Sequence, residues 1–341
     1  MTTLLGLSLD ELQAFCLEQG FQKFTAKQLC DWMYQKRIGD FDAMTNLSLK
    51  IRAHLNDIAQ TGFTQPADCQ TSTDGTKKYL FPIEGKGYVE SVYIPDGDRA
   101  TLCVSCQCGC KMGCRFCVTG QQGFHGSLTA AEILNQIFSI PESQELSNIV
   151  FMGMGEPMDN YDAIRRTLDV LTADWGLAWS PHRITVSSVG ITPMLQRLIE
   201  ETQVDVAVSL HNPFPDQRQA LMPMEKAYPI KETIALMHRY NWRGQRRISF
   251  EYTMFGGLND SPRHAAELVR LLKGLPCRVN LIRFHASPGT PYRTSDQQTI
   301  NTFRDYLNAH GITCTLRASR GEDIMAACGL LAGKKKQKQN Q

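Results

Sequence analysis

The residues of this sequence best suited to chemistry are its cysteines, because six of the twelve fall between Cys103 and Cys117, in the stretch CVSCQCGCKMGCRFC. Thiols at this density are typical of a disulfide framework, a zinc site, an iron–sulfur cluster, or nucleophilic thiols beside a metal. The first residues lack a signal-peptide pattern, and no apolar run is long enough to span a membrane. We therefore expect a cytoplasmic protein with reduced thiols, which disfavours a disulfide framework.

The spacing within this stretch favours an iron–sulfur cluster. Cys110, Cys114 and Cys117 form Cys-x3-Cys-x2-Cys, so three thiolates can hold three irons of a 4Fe–4S cluster and leave the fourth iron open. The alternative is structural zinc, since Cys103 and Cys106 can pair with Cys114 and Cys117 as two Cys-x2-Cys knuckles. The glycine-rich GMGEP at 153–157 favours the cluster, because a zinc knuckle does not need it. On spacing alone, both readings stay open.

The rest of the chain must position these thiols, and from Ala100 onward it alternates between strand-like and helix-like segments. Thr129 and Glu132 form a capping box at the first helix of this region. The alternation predicts six β-then-α units and a terminal strand, and hence a parallel sheet with crossover helices. The count fits an open doubly wound sheet and a barrel-like sheet equally well.

The unusual residues of this region come directly after its strands. Because ligands of parallel α/β folds bind at the carboxyl ends of strands, we expect these segments to converge on one site. They are the cysteine stretch, GMGEP, SSVG at 187–190, SLH at 209–211 and RFHASPG at 283–289.

The segments before Ala100 predict a helical module followed by a β hairpin. Capping-box patterns occur at Ser8 with Glu11 and at Thr25 with Gln28. Strand-like runs then flank a turn at 85–87. The predicted division is a helical module (1–62), a β extension (63–99), an α/β core (100–331) and a basic disordered tail (332–341).

One further residue connects the cysteine spacing to a known superfamily. Phe116 precedes the last cysteine of the trio, and Cys-x3-Cys-x2-Cys with an aromatic residue there resembles the signature of radical S-adenosylmethionine enzymes. Further motifs cover nearly the whole chain and resemble the RlmN/Cfr family of RNA adenosine methyltransferases. They include FTAKQLCDWMYQK, GCKMGCRFCVTGQQGF, FMGMGEPMDNYD, ITVSSVGI, SLHNP, LMPMEKAYPI, VNLIRF and RGEDIMAACG.

The resemblance implies a partial (βα)6 radical-SAM barrel with an N-terminal helical module and a short β extension. It implies that Cys110, Cys114 and Cys117 hold a 4Fe–4S cluster whose open iron binds S-adenosylmethionine. The residues that match the family's cofactor contacts are Gly155, Glu156, Ser187, Ser209, Leu210, His211 and His285. His285 stands where the family usually has asparagine, and Met325 and Leu330 are further departures near Cys328.

The resemblance also implies a catalytic set outside the cluster ligands. C2 and C8 of adenine are not nucleophilic, so the family first places the methyl group on a cysteine thiol, and Cys328 matches that residue. Cys103 matches the thiol that resolves a transient protein–RNA adduct and leaves a disulfide. Glu90 matches a proton acceptor, although its place in YVESVYIP also fits the polar face of a strand.

The implied function is methylation of adenine C2 in the peptidyl transferase centre of 23S rRNA and in the adenosine 3′ of the anticodon of tRNAs. The expected partners are these RNAs and an electron donor such as flavodoxin, with no membrane and a monomeric protein. Basic residues such as Arg243, Arg246 and Arg247 either contact RNA phosphates or form a solvated turn. The alternatives are Cfr-type C8 methylation of the same rRNA adenosine and a non-catalytic, zinc-stapled RNA-binding protein.

Overall fold

The computed structural model describes residues 1–242, 244, 246–287 and 289–333. Its strands are β1 (Thr2–Thr3), β2 (Ala59–Gln60), β3 (Asp68–Thr71), β4 (Lys77–Ile83), β5 (Gly87–Asp96), β6 (Arg99–Cys103), β7 (Gln107–Gly109), β8 (Phe124–Ser127), β9 (Asn148–Phe151), β10 (Ile184–Ser188), β11 (Asp205–Ser209), β12 (Ile248–Met254), β13 (Arg278–Arg283) and β14 (Thr313–Leu316). Its α-helices are α1 (Leu9–Glu18), α2 (Thr25–Cys30), α3 (Leu49–Ile58), α4 (Val118–Gln121), α5 (Ala130–Phe138), α6 (Tyr161–Thr172), α7 (Thr192–Glu201), α8 (Pro215–Leu221), α9 (Ile230–Met237), α10 (Pro262–Leu271) and α11 (Gln297–Ala309).

The N-terminal residues form the short helices α1 to α3, as the capping patterns predict in part. Ser8 caps α1, and the Glu11 side chain accepts the N–H of Ser8 in return, which confirms this capping box. The capping box at Thr25 is wrong, because α2 begins at Thr25 itself and has no side-chain cap. The Gln28 amide instead donates to the carbonyl of Asn46 at 2.9 Å.

The centre of the molecule is a ten-stranded sheet in the order β14-β13-β12-β11-β10-β9-β6-β5-β4-β3. Within this sheet, β6 and the strands from β9 to β14 pair in parallel, and β5, β4 and β3 extend one edge antiparallel. This confirms the six β-then-α units and the terminal strand. Each parallel strand lies beside the next one along the chain, with no reversal of direction. Such an order is that of a barrel segment, whereas a doubly wound sheet reverses direction.

Alternation along the parallel strands separates an apolar face from a face that lines the site. In β12, Phe250, Tyr252 and Met254 are fully buried, and the Tyr252 ring packs against Phe303 of α11. Burying such side chains stabilises the fold by about 1.5–3 kcal/mol each. Glu251 and Thr253 alternate with them and line a cavity on the opposite face. The sequence thus fixes which side chains reach the site.

The cysteine stretch contains a small antiparallel ribbon that the sequence patterns do not predict. Strand β7 pairs with β8, and Cys108 lies opposite Gly126. Beyond β7, the N–H of Cys110 donates to the carbonyl of Gly123 at 2.9 Å. The ribbon therefore fixes the backbone on which the cysteine trio begins.

Some predictions concern residues that the structure does not describe. Arg243 and the basic residues from 334 onward lie outside the described ranges. Ala332 and Gly333, assigned above to a disordered tail, differ from that prediction because both donate backbone hydrogen bonds to Glu90. Among the helices that the structure describes, none is long and apolar enough to cross a membrane.

Candidate active site

A cavity at the carboxyl ends of the parallel strands brings together most of the residues singled out in the sequence. Its lining includes the segments that follow β6, β9, β10 and β11, side chains of β5, β12 and β13, and the C-terminal segment. The predicted residues that line it are Cys103, Cys110, Cys114, Cys117, Gly155, Glu156, Ser187, Ser209, His211 and Cys328. The remaining three, Glu90, Leu210 and His285, are not among the lining residues of this cavity.

The cysteine trio presents three buried or half-buried thiols to one side of the cavity. Burial raises the pKa of Cys110 to about 12, and it also raises the pKa values of Cys114 and Cys117. At neutral pH, thiols whose pKa values are raised in this way stay protonated unless a further positive charge is bound beside them. A bound metal group supplies that charge and converts thiols to thiolates. The donor set therefore fits a 4Fe–4S cluster held through three cysteines.

The thiols of the trio are not linked to one another or to other cysteines, because all twelve cysteines are free in this structure. Over the described ranges, no three His, Cys, Asp or Glu side chains form a group that could hold a single metal ion. The choice between the cluster and the zinc alternative therefore rests on the spacing of the trio and on the family resemblance, not on the arrangement of these thiols.

The glycine-rich loop after β9 packs tightly against the cysteine stretch. Gly155 has φ +101°, and a Cβ there would meet the Gln107 backbone nitrogen at 2.8 Å. At Gly153, a Cβ would meet the carbonyl oxygen of Val104 at 2.6 Å. Only glycine tolerates both the conformation at 155 and these close approaches. The loop therefore places Glu156 at a fixed distance from the thiols.

Glu156 is a buried carboxyl that connects two loops of the site. Its Oε2 accepts the N–H of Val189 at 3.0 Å, and its Oε1 accepts the N–H of Met158 at 3.2 Å. Burial raises the pKa of Glu156 to about 7, although hydrogen bonds from Val189, Ser188 and Met158 lower it in part. A carboxyl with this pKa changes charge near neutral pH, and a cation bound beside it would favour the ionised form.

His211 is held in a strained conformation at the end of β11. Its φ is +53°, and its Nδ1 accepts the N–H of Thr253 at 3.0 Å. Burial lowers the pKa of His211 to about 3, with a smaller contribution from Arg218. The imidazole is therefore neutral at physiological pH, and Nε2 carries its proton because Nδ1 accepts. The ring also packs edge-on against Phe116, 5.0 Å between centroids.

Arg218, which the sequence patterns did not indicate, holds the backbone behind this part of the site. Its guanidinium is buried and donates to the carbonyls of Ser209 and Val189 at 2.8 Å, and of Leu210 at 3.0 Å. It also forms a buried ion pair with Glu225. Leu210 itself is fully buried, and its carbonyl accepts from Arg218.

Cys103 and Cys328 lie on the same cavity, beside the guanidinium of Arg317. Burial raises the pKa of Cys103 to about 12; the Cys328 thiol adds to that effect and Arg317 opposes it. Arg317 Nη1 lies 3.4 Å from Glu251 Oε2, whose other oxygen accepts from Asn280 at 2.8 Å. Cys328 is exposed, whereas Cys103 is buried. The pair thus combines an accessible thiol and a sequestered one.

Arg317 was missed by sequence reasoning, although its position carried a signal. It follows β14 directly, at the carboxyl end where the other unusual residues occur. Burial lowers its pKa, but Glu251 and the two thiols raise it more, so the net shift is upward. The guanidinium is therefore a permanent positive charge at the Cys103 side of the cavity.

Two predicted residues lie outside the cavity lining, in defined environments of their own. Glu90 is buried in β5; its Oε1 lies 3.1 Å from Lys78 Nζ, and its Oε2 accepts the N–H of Ala332 at 2.7 Å. His285 Nε2 lies 2.8 Å from the Ser319 hydroxyl. The structure thus places Glu90 and His285 beside these partners and outside the lining of the cavity.

Arg246, predicted above as a phosphate contact or part of a solvated turn, is bound to the protein itself. Its guanidinium donates to the carbonyl of Ile199 at 2.7 Å and of Val204 at 3.0 Å. These bonds satisfy carbonyls at the end of α7, so this guanidinium supports the fold. Arg247 is exposed.

Comparisons with known proteins show the family to which the chain belongs. The model of the ribosomal RNA large subunit methyltransferase N-terminal domain matches residues 2–61, and that of the radical SAM superfamily matches residues 104–270. The chain is 54% identical over 332 residues to a protein of Porphyromonas gingivalis named probable dual-specificity RNA methyltransferase RlmN, covering 97% of each chain. It is 42% identical to the dual-specificity RNA methyltransferase RlmN of Syntrophus aciditrophicus, covering 96% of this chain and 95% of that one.

A solved structure gives the same result for the fold. The crystal structure of a radical SAM methyltransferase from Sphaerobacter thermophilus superposes with a TM-score of 0.93 at 42% identity, over 98% of this chain and 100% of that chain. The fold and the match over residues 104–270 point to the radical SAM superfamily. Members of this superfamily use a 4Fe–4S cluster and S-adenosylmethionine. From its sequence, its fold and the cysteines gathered on one cavity, the chain belongs to the RlmN family of radical SAM RNA methyltransferases.

Proposed function

We propose that this protein methylates C2 of adenosine in RNA, and that the methyl group passes through the thiol of Cys328. The observation that carries the proposal is the gathering of two sets of thiols on one cavity. Cys110, Cys114 and Cys117 line one part of it, and Cys103 and Cys328 line another. A metal site alone would need only the first set, so the second set supports thiol chemistry on a substrate.

The residues present fit the cofactors of the superfamily. Cys110, Cys114 and Cys117 would hold the 4Fe–4S cluster, and Gly155, Glu156, Ser187, Ser209 and His211 would contact S-adenosylmethionine. When bound, these groups supply the methyl group and the one-electron chemistry that an unreactive ring carbon requires. Leu210 and His285 complete the set proposed from the resemblance, Leu210 through its backbone. Glu156 suits the cofactor's ammonium group, because a buried carboxylate is most stable beside a cation.

The two catalytic thiols differ in a way that suits two separate tasks. Cys328 is exposed, so it can reach a methyl donor and an RNA base in turn. Cys103 has a raised pKa, which the Arg317 charge lowers only in part, so it stays a protonated thiol until a base takes its proton. This difference keeps Cys103 unreactive until the adduct needs to be resolved. Glu90 is proposed as the acceptor of the proton that the adenine carbon loses.

The proposed substrates, 23S rRNA and tRNA, are those that the family resemblance implies. The relatives are named dual-specificity RNA methyltransferases, and the model that matches residues 2–61 is named for a methyltransferase of large-subunit ribosomal RNA. The target base must leave its stack to reach a cavity of this kind. The N-terminal helices are proposed to hold the RNA, an electron donor such as flavodoxin to reduce the cluster, and the protein to act as a monomer in the cytoplasm.

The test is anaerobic reconstitution of the protein with iron, sulfide, S-adenosylmethionine and a reductant, followed by reaction with 23S rRNA fragments or tRNA. Nucleoside mass analysis should show 2-methyladenosine, and the Cys328→Ala variant prepared in parallel should show none. Finding 8-methyladenosine would replace the proposal by Cfr-type activity. A colourless, zinc-loaded protein that leaves RNA unmodified would contradict it altogether.

A further inference from the structure

The segment that carries Cys328 contributes to the lining of the cavity, and we call residues 325–333 the strap. Glu90 Oε2 accepts the N–H of Ala332 at 2.7 Å and that of Gly333 at 3.2 Å, at the end of the strap. Lys78 Nζ lies 3.4 Å from the carbonyl oxygen of Met325, at the beginning of the strap. Cys328 lies between these two anchoring points.

Lys78 and Glu90 also pair with each other, 3.1 Å between Nζ and Oε1. They lie on adjacent antiparallel strands, where Lys78 is opposite Val92 and Glu90 is opposite Leu80. This register makes them diagonal neighbours on one face of the hairpin. The side chain of Lys78 is 8% exposed and that of Glu90 is 5% exposed. A buried charge pair of this kind is costly unless its hydrogen bonds are satisfied, and the strap satisfies them.

We infer that Lys78 is a positioning residue for Cys328, and that Lys78 and Glu90 together act as a clasp that holds both ends of the strap over the cavity. The positioning of Cys328 for chemistry rests on the function proposed above. The clasp itself follows from the hydrogen bonds alone. Helix α4 holds the middle of the strap, since Val118 N–H donates to the carbonyl of Gly329 at 2.9 Å. The clasp adds restraint on either side of the thiol.

The clasp also determines when Glu90 is available. Both of its carboxylate oxygens are occupied, by Lys78 and by the strap, and the side chain does not reach the lining of the cysteine cavity. Glu90 can therefore accept a proton from a bound base only after the strap has moved away. In one arrangement the strap is held in place and Cys328 is positioned. In the other the strap has moved away and Glu90 can accept a proton. Lys78 stabilises the arrangement in which the strap is held.

The experiment measures hydrogen exchange of the strap amides in the full chain without cluster or cofactor. In Lys78→Met, exchange at Ala332 and Gly333 should accelerate at least tenfold, because the ion pair that holds the Glu90 carboxylate against these two amides is gone. The amide of Val206, which donates to the carbonyl of Arg247 and has no bond to the strap, should keep its protection, which shows that the fold is intact. Lys78→Arg keeps a cation and should restore protection. Unchanged exchange at Ala332 and Gly333 in Lys78→Met would overturn the clasp.

Two further variants keep the result specific. Lys77 lies on the same strand and pairs with Glu142, away from the strap, so Lys77→Met should leave strap exchange unchanged. If Lys78 and Glu90 act as a unit, the double variant Lys78→Met with Glu90→Gln should exchange no faster than the faster single variant. Additive acceleration, or an equal effect in Lys77→Met, would contradict the inference.

A second readout connects the clasp to the thiol. With reconstituted protein, Lys78→Met should slow methyl loading on Cys328 at least tenfold while iron content and cofactor cleavage stay at wild-type levels, and Lys78→Arg should recover most of the loading. Wild-type loading in Lys78→Met would overturn the positioning role. If even the wild-type protein loads no methyl group, the proposed function fails, whereas the exchange measurement still decides the clasp.

Discussion

Glu156 offers a prediction that needs neither cluster nor cofactor. Its carboxyl is buried, and burial raises its pKa to about 7 from a usual value of 4.5. Folding therefore favours the protonated form. The protonated Glu156 carboxyl contributes its full stabilisation below about pH 4.5, where both the folded and the unfolded state bind the proton. Above pH 4.5 only the folded state still binds it, so this stabilisation is lost as the pH rises through 7.

The magnitude follows from these two values. Between about pH 5.5 and about pH 8.5, linkage of one such group lowers the free energy of unfolding by about 2 kcal/mol. The variant Glu156→Gln keeps the shape and an acceptor oxygen for one backbone N–H, and it does not titrate. The wild-type protein should thus lose about 2 kcal/mol relative to the variant across this range.

The assay is urea unfolding of the protein without cluster, for wild type and Glu156→Gln, at several pH values across that range. The difference between the two free energies should change with pH in favour of the glutamine variant. If both curves stay parallel, the carboxyl does not titrate in this window and its environment is misassigned. With S-adenosylmethionine bound to reconstituted protein, the ionised form should be favoured, so binding near pH 6 should release a proton in wild type only.

Three further changes test other parts of the site. Cys114→Ala should lose iron and sulfide after anaerobic reconstitution, whereas Cys69→Ser, at an exposed thiol away from the cavity, should keep both; full loading of the alanine variant would disprove the ligand assignment. Cys103→Ala should still carry a methylated thiol and then stall as protein linked to RNA, visible as a nuclease-sensitive shifted band, so normal turnover would contradict the two-thiol scheme. Arg218→Met breaks a buried ion pair and should lower the free energy of unfolding by about 3–5 kcal/mol in urea, and a loss below about 1 kcal/mol would show that the pair contributes little.

The parts of the fold that the sequence predicts are those that depend on local patterns. Strands β4 and β5 lie on either side of the turn predicted at 85–87, and the capping box at Thr129 is present. These succeed because period and cap chemistry act within a few residues. Thr25 shows the limit, since a matching pattern did not cap the helix that begins there.

The parts of the site that the sequence does not predict depend on contacts between distant segments. Glu90 and Ala332 are 242 positions apart, and the register of the hairpin decides which face Glu90 occupies. Arg218 lies on a short helix where an arginine usually faces solvent, so its burial against strand-end carbonyls leaves no mark in the pattern. Arg317 is different, because the sequence shows that it directly follows a predicted strand. Its role beside the two thiols could not be predicted from that position.

The central claim is that Cys328 carries the methyl group that reaches the RNA. The most direct measurement is mass analysis of the peptide that contains Cys328, from wild-type protein made in cells, before and after reaction with RNA. The account predicts one added methyl group on that cysteine, and its loss as methyladenosine appears in the RNA. An unmodified Cys328 in protein that nonetheless methylates RNA would contradict the account.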